Sequence, residues 1–247
     1  MAEQPFRLVT RSDFDGLVCA VLFKDLGMID DILFVHPKDM QDGIIDIGPN
    51  DITTNLPYVA GCHMSFDHHA SEVKRRGDNA PDNHIIDTEA PSAARVVCDY
   101  YGGAQRFPNI SVDMMEAVDK ADSAQFSRDE ILNPTDWVLL NFLMDSRTGL
   151  GRFREFRVSN YQLMMHLIDY CYDHNIEQIL QLDDVKERVE LYNEHRQQFE
   201  DQLKRCTTVH KNLVVLDLRD EEIIYAGNRF MIYALFPEQN ISIHVLW

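Results

Sequence analysis

No stretch of this 247-residue chain approaches the ~18 consecutive apolar residues that mark a membrane-spanning helix. The amino terminus, Met1-Ala2-Glu3-Gln4-Pro5-Phe6, lacks a basic region followed by an apolar one, so no secretory signal is expected. Cysteine is sparse: five residues (19, 62, 98, 171 and 206), odd in number and scattered, with no Cys-x-x-Cys pair. Reduced thiols in a cytoplasmic protein are the simplest reading. Positive charge is also in short supply. Twenty-three Lys and Arg face 41 Asp and Glu, a formal charge of −18. Duplex DNA or RNA is therefore a poor partner, because non-specific affinity comes from neutralising phosphates, and anionic membranes are disfavoured for the same reason. A small anionic substrate stays open if metal ions supply positive charge locally. Repeats and low-complexity segments are absent.

What the chain does have is a 45% hydrophobic composition, enough to bury a real core in one large or two modest domains. Residues 6–9 read as a first strand, followed by a helix from Gly16 to Leu26 with Val18, Val21, Leu22 and Leu26 on one stripe. Further strands are expected at 32–35, at Ile44-Ile45-Asp46-Ile47, at 64–66 and at 84–87. Strands alternating with helical stretches predict a mostly parallel α/β sheet. From Pro91 the pattern turns helical, with Ser92 as a cap and further helices at 112–121, 135–145 and 159–172. Between Asp184 and Cys206, apolar or aromatic residues at 185, 189, 192, 199 and 203 fit one long amphipathic connector helix. After Thr207 the segments 213–216, 223–225, 230–236 and 241–246 read as β-rich. They suggest a second domain that stops in mid-strand at Trp247, as in a truncated chain.

Four short pieces carry the chemistry: Asp13-Phe14-Asp15-Gly16, Asp46-Ile47-Gly48, Asp67-His68-His69 and Asp122-Ser123. Each lies at the end of an apolar run, where a buried carboxylate requires a partner. Ligands of parallel α/β sheets bind beyond the carboxyl ends of the strands. Taken singly, each piece has an ordinary explanation: a turn carboxylate, a surface histidine pair, a helix cap. Taken together they favour a metal site. Mixed oxygen and imidazole ligands suit Mn2+ or another borderline divalent ion better than Ca2+. Two such ions, roughly 3.5–4 Å apart, form a clamp for in-line attack at phosphorus.

In this order and spacing the pieces resemble the DHH phosphoesterase superfamily, named for the Asp-His-His seen here at 67–69. Asp13-x-Asp15-Gly16 is similar to its first motif, Asp46 to its second, and Asp122-Ser123-x-x-Phe126 to its fourth. Glu89-Ala90-Pro91-Ser92-Ala93 resembles the family's helix-opening Ala-Ser-Ser stretch. The family includes the single-strand exonuclease RecJ, nano-RNases, cyclic-dinucleotide phosphodiesterases, and pyro- and polyphosphatases. The resemblance implies a DHH domain over 1–183, a linker helix over 184–206 and a partial DHHA1-like substrate-binding domain over 207–247. It implies one metal on Asp13, Asp46 and Asp122, and a second on Asp15, Asp46 and His68, with Asp46 bridging. Mn2+ is the expected ion, with Mg2+ as the alternative. His69 would face the substrate phosphate, and Asp67 would orient an imidazole from behind.

Two departures stand out. Family members often carry a His two or four residues before the first Asp, where this chain has Arg11 and Val9. Arginine cannot ligate a metal, but Arg11 could donate to a phosphate oxygen. The Gly-Gly-His of the family's smaller domain is also missing. Elsewhere, Arg147, Arg152 and Arg154 lie in a stretch with glycines and phenylalanines. They could receive phosphates and stack bases; the alternative is a solvated loop paired with nearby acids. Lys74-Arg75-Arg76 reads as a helix-end basic cluster. The expected activity is two-metal cleavage of phosphodiesters in di- or oligoribonucleotides. Hydrolysis of pyrophosphate or polyphosphate is the alternative, and a catalytically impaired nucleotide-binding regulator is a third reading. A homodimer is among the allowed assemblies, and the sequence does not fix the oligomeric state.

Overall fold

The structure is a computed structural model that describes residues 5–77, 81–153 and 155–246. By packing, the described residues fall into two units: Met1–Gln125 with Met164–Asn175, and Phe126–Leu163 with Ile176–Trp247. Residues 126–163, expected to belong with the first domain, thus pack with the C-terminal segment.

The first unit is built on a five-stranded sheet of β1 (Phe6–Arg11), β2 (Ile29–Val35), β3 (Asp51–Thr54), β4 (Met64–Asp67) and β5 (His84–Ile86). Their order is β2-β1-β3-β4-β5, and every pairing is parallel. All carboxyl ends therefore share one edge. The helix Phe14–Asp25 is buried from Phe14 through Phe23 and packs against the helices Ala93–Tyr100 and Val112–Asp122. It is apolar on all sides because it is enclosed on all sides. Phe23 meets the β4 residue Phe66 edge to face, with ring centroids 5.6 Å apart.

One expected strand is absent. Residues 44–47 form an irregular loop, and the strand lies later, at Asp51–Thr54. Gly48 and Pro49 break the apolar run before it can pair. Thr53 and Thr54 are fully buried between β1 and β4. The Thr54 hydroxyl donates to Thr10 Oγ1 at 2.7 Å, and the Thr10 hydroxyl donates to the Thr54 carbonyl at 3.2 Å. Two hydroxyls that satisfy each other can sit in a core without loss.

The second unit carries a three-stranded sheet of β6 (Thr207–His210), β7 (Leu213–Asp217) and β8 (Ile241–Val245), in the order β6-β7-β8. β6 and β7 are antiparallel, and β7 and β8 are parallel. The helix Asp183–Cys206 buries Val185, Tyr192, Phe199 and Leu203. Phe199 and Leu203 join Val214, Leu216, Ile224 and Met231 in one apolar cluster. Gly227 is obligatory here, since a Cβ would lie 1.9 Å from the Phe199 ring. Two expected β segments are not strands: 223–225 is irregular and Met231–Leu235 is a short helix. All five cysteines are free thiols. Among the described residues, no helix is long and apolar enough to cross a membrane.

Candidate metal centre

β1 delivers three functional side chains as it leaves the sheet. Asp13 caps the helix Phe14–Asp25, its Oδ1 accepting from the Gly16 N–H at 3.0 Å. Gly16 allows this turn because a Cβ would lie 2.0 Å from the Arg11 carbonyl oxygen and 2.7 Å from Thr10 Oγ1. The tight turn drives Asp15 inward, where it is 2% exposed. Its two oxygens accept from the N–H groups of Ala93 (3.0 Å) and Ala94 (2.8 Å), the open start of the helix Ala93–Tyr100. A helix N-terminus favours negative charge. Burial, and then the neighbouring Asp122 and Asp13 carboxylates, nevertheless push the Asp15 carboxyl well above its usual range.

β4 ends on the Asp-His-His piece. Asp67 is buried, and its Oδ1 accepts from the backbone N–H of His68 at 2.8 Å and of His69 at 3.3 Å. The same oxygen lies 2.7 Å from His69 Nδ1. A carboxylate only accepts, so His69 carries its proton on Nδ1 and leaves Nε2 for chemistry. His68 is oriented in the same way by a backbone acceptor: its Nδ1 lies 3.2 Å from the Ala90 carbonyl, which turns the Nε2 lone pair inward.

Asp122 comes from the last residue of the helix Val112–Asp122, the negative end of the helix dipole and an unfavourable place for a carboxylate. Its Oδ2 stands 2.8 Å from His68 Nε2. Nε2 is buried, and the pair is not aligned as a hydrogen bond. Two lone-pair atoms that close need a cation or a proton between them. Burial opposes protonation of His68, but Asp122 and Asp15 prevail and raise it to about 9. A divalent cation would serve all three groups: ligand atoms of Asp15, His68 and Asp122 lie within 4.8 Å of one another. The donors present thus fit such an ion. Asp67, His68 and His69 make a second close group, but Asp67 and His69 already bond to each other.

The other expected ligands are placed differently. Asp46 is not at this edge. Its carbonyl accepts from Arg7 Nη2 at 2.9 Å, and Arg7 lies at the opening end of β1, opposite Asp13. The expected Asp46 bridge is corrected accordingly, because the strand thought to end there does not form. The residue that follows β3 is Asn55, 1% exposed and with φ of 54°, a conformation asparagine tolerates well. Its Nδ2 donates to Asp13 Oδ1 at 3.2 Å. Sequence reading missed Asn55; the one available signal was an asparagine directly after a β-branched run. Arg11 Nε lies 2.8 Å from Asp13 Oδ2. Arg11, Asn55, Asp67 and His69 line one cavity of about 140 Å3. In the adjoining helix Ala70–Arg76, Arg75 is paired with Glu72 at 2.5 Å.

The second unit holds two of the other arginines expected at the substrate, Arg147 and Arg152. Arg147 is bonded to both oxygens of Asp145 at 2.8 and 2.9 Å. Arg152 donates to the carbonyl of Ile224 at 3.2 Å. Burial lifts the Asp145 carboxyl, but Arg147 and Arg229 hold it below its usual range. Arg147, Arg152, Arg229, Tyr225, Tyr233 and His244 line a cavity of about 390 Å3. Arg154 lies outside the described residues.

A solved structure of a pGpG-specific phosphodiesterase, PggH from Vibrio cholerae, is 63% identical to this chain with a TM-score of 0.87, covering 98% of this chain and 78% of its own. The chain belongs to the DHH phosphoesterase superfamily. The Asp-His-His that carried the resemblance stands at the end of β4, and Asp13-x-Asp15-Gly16 follows the end of β1. No model of a protein family matches the chain, and no curated protein does. An uncharacterized protein from Helicobacter pylori G27 is 10% identical with a TM-score of 0.32, too distant to show a shared fold.

Proposed function

We propose that this protein is a divalent-cation phosphodiesterase that hydrolyses a guanine dinucleotide of the pGpG type. The observation that carries this reading is the 63% identity, over 98% of the chain, to a pGpG-specific enzyme. Mn2+ is the proposed ion, with Mg2+ as the alternative, on the strength of two carboxylates and one imidazole as donors. Such an ion supplies Lewis-acid stabilisation of charge developing on phosphoryl oxygens. Asp15, His68 and Asp122 would hold it. His69, its ring fixed by Asp67, would offer Nε2 to the substrate phosphate or the leaving oxygen. Arg11, on the same cavity, would pair with a non-bridging oxygen. The arginine- and tyrosine-lined cavity of the second unit is proposed to take part in nucleotide recognition, as the substrate-binding half of a two-domain enzyme.

A panel assay tests this reading. With Mn2+ present, pGpG should be cleaved to GMP, and pApA and longer oligomers should turn over more slowly. Cleavage of pyrophosphate or polyphosphate alone would reject it in favour of a phosphoanhydride hydrolase. Nucleotide binding without turnover would make the protein a regulator.

A further inference from the structure

We propose that the carboxyl edge of the parallel sheet holds a single divalent cation, on Asp15, His68 and Asp122, and that the Arg11 guanidinium paired to Asp13 takes the place of a second. This rests on the metal-dependent reading above and concerns how many ions the centre accepts.

Asp13, the natural ligand for a second ion, is already engaged. Its Oδ1 takes the N–H of Gly16 and the amide of Asn55, and its Oδ2 takes Arg11. A cation there would have to displace a guanidinium, which is always charged and never a ligand. A bridge between two ions is also missing. A carboxylate can give one oxygen to each ion. The residue that follows the central strand, however, is Asn55, whose nitrogen donates to Asp13 and whose Oδ1 is the one acceptor left. That oxygen is buried and has no hydrogen-bond partner among the described residues, so it can complete the shell of one ion but cannot join two. Asp46, the other candidate bridge, lies at the opposite edge. His68 has one lone-pair nitrogen, its other being turned to the Ala90 carbonyl, so it too serves a single ion.

Charge supports the same count. Two carboxylates, Asp15 and Asp122, balance one divalent cation, and Arg11 balances Asp13. Arg11 and His69 line one cavity, so a phosphate entering it would meet a fixed organic cation where a two-ion centre presents its second metal. An arginine in that position can stabilise developing phosphoryl charge.

Ion stoichiometry decides the matter. The chain, stripped with a chelator, is titrated with Mn2+ by calorimetry and followed by electron paramagnetic resonance. One Mn2+ per chain and the six-line spectrum of an isolated ion are expected. Two ions per chain with an exchange-coupled spectrum would overturn the single-ion assignment but leave the metal-dependent reading standing. No binding of Mn2+ or Mg2+ would remove that reading itself. In the double variant Arg11→His with Asn55→Asp, a second Mn2+ and a coupled spectrum should appear; a count that stays at one would show that these residues do not exclude it. Arg11→Gln should keep one Mn2+ and lose about 10^2–10^3-fold in kcat. An unchanged kcat would end the role given to the guanidinium.

Discussion

The two edges of the parallel sheet are both acidic, and they treat their acid in opposite ways. At the amino edge, the buried Asp51 is held by Arg7 at 2.8 and 3.0 Å and by the Gly48 N–H at 2.7 Å. Every lone pair that matters has a donor, and the cluster is closed. At the carboxyl edge, Asp15, His68 and Asp122 converge, and among the described residues only Asp13 has an arginine. Helix N–H groups hold Asp15 in place, but burial first, and then repulsion from Asp122 and Asp13, push its carboxyl up. A satisfied carboxylate is architecture. An under-neutralised group of them, fixed in place, is what a cation would fit.

Breaking the open edge should have the largest effect. Asp15→Asn keeps the size of the side chain but removes its charge. Turnover should fall by roughly a thousandfold or more, beyond what loss of an orienting partner costs. The stabilisation given by Mn2+, about 2.7 kcal/mol at a hundred times the dissociation constant and read as an upshift in melting temperature, should vanish with it. Persistence of that upshift would place the ion elsewhere. Asp67→Asn should be milder. The asparagine no longer dictates the His69 tautomer, so kcat should drop about 10–100-fold while calorimetric Mn2+ binding stays intact.

The closed edge should respond in stability alone. Arg7→Ala strips Asp51 of its main donor and should cost about 1–3 kcal/mol in urea unfolding, with unchanged turnover per folded molecule. Lost Mn2+ binding in this variant would blur the distinction between the two edges. The smallest effect belongs to Asp46→Ala, within about 0.5 kcal/mol and neutral in activity, because the contact it makes with Arg7 uses its carbonyl. A collapse of activity there would restore the bridging role expected from sequence.

That last pair shows where sequence reading succeeds and where it stops. The ends of β1 and β4 were legible because apolar runs there stop abruptly at Asp-x-Asp-Gly and Asp-His-His, and a buried carboxylate at a strand end has few ordinary uses. β3 was not. Ile44, Ile45 and Ile47 look more like a strand than Asp51-Ile-Thr-Thr does, and Ile44 is in fact exposed. The real strand is polar and survives burial through the Thr10–Thr54 hydroxyl pair, a long-range bond that no local pattern reveals. Asn55 was lost with it. In the second unit, 230–236 has the aromatic and aliphatic content of a strand, yet Met231–Leu235 coils into a short helix whose Met231 and Ile232 meet Leu216 and Ile224. Packing decided what composition could not.

The anchoring of Asp15 has one more consequence. With each oxygen tied to a different amide of the same helix start, this carboxylate could not pivot between monodentate and bidentate grips on the proposed ion. Ions differ in radius, and calcium centres depend on carboxylates that can swing. As a holder of the proposed ion, such a clamp would favour small divalent ions over larger ones.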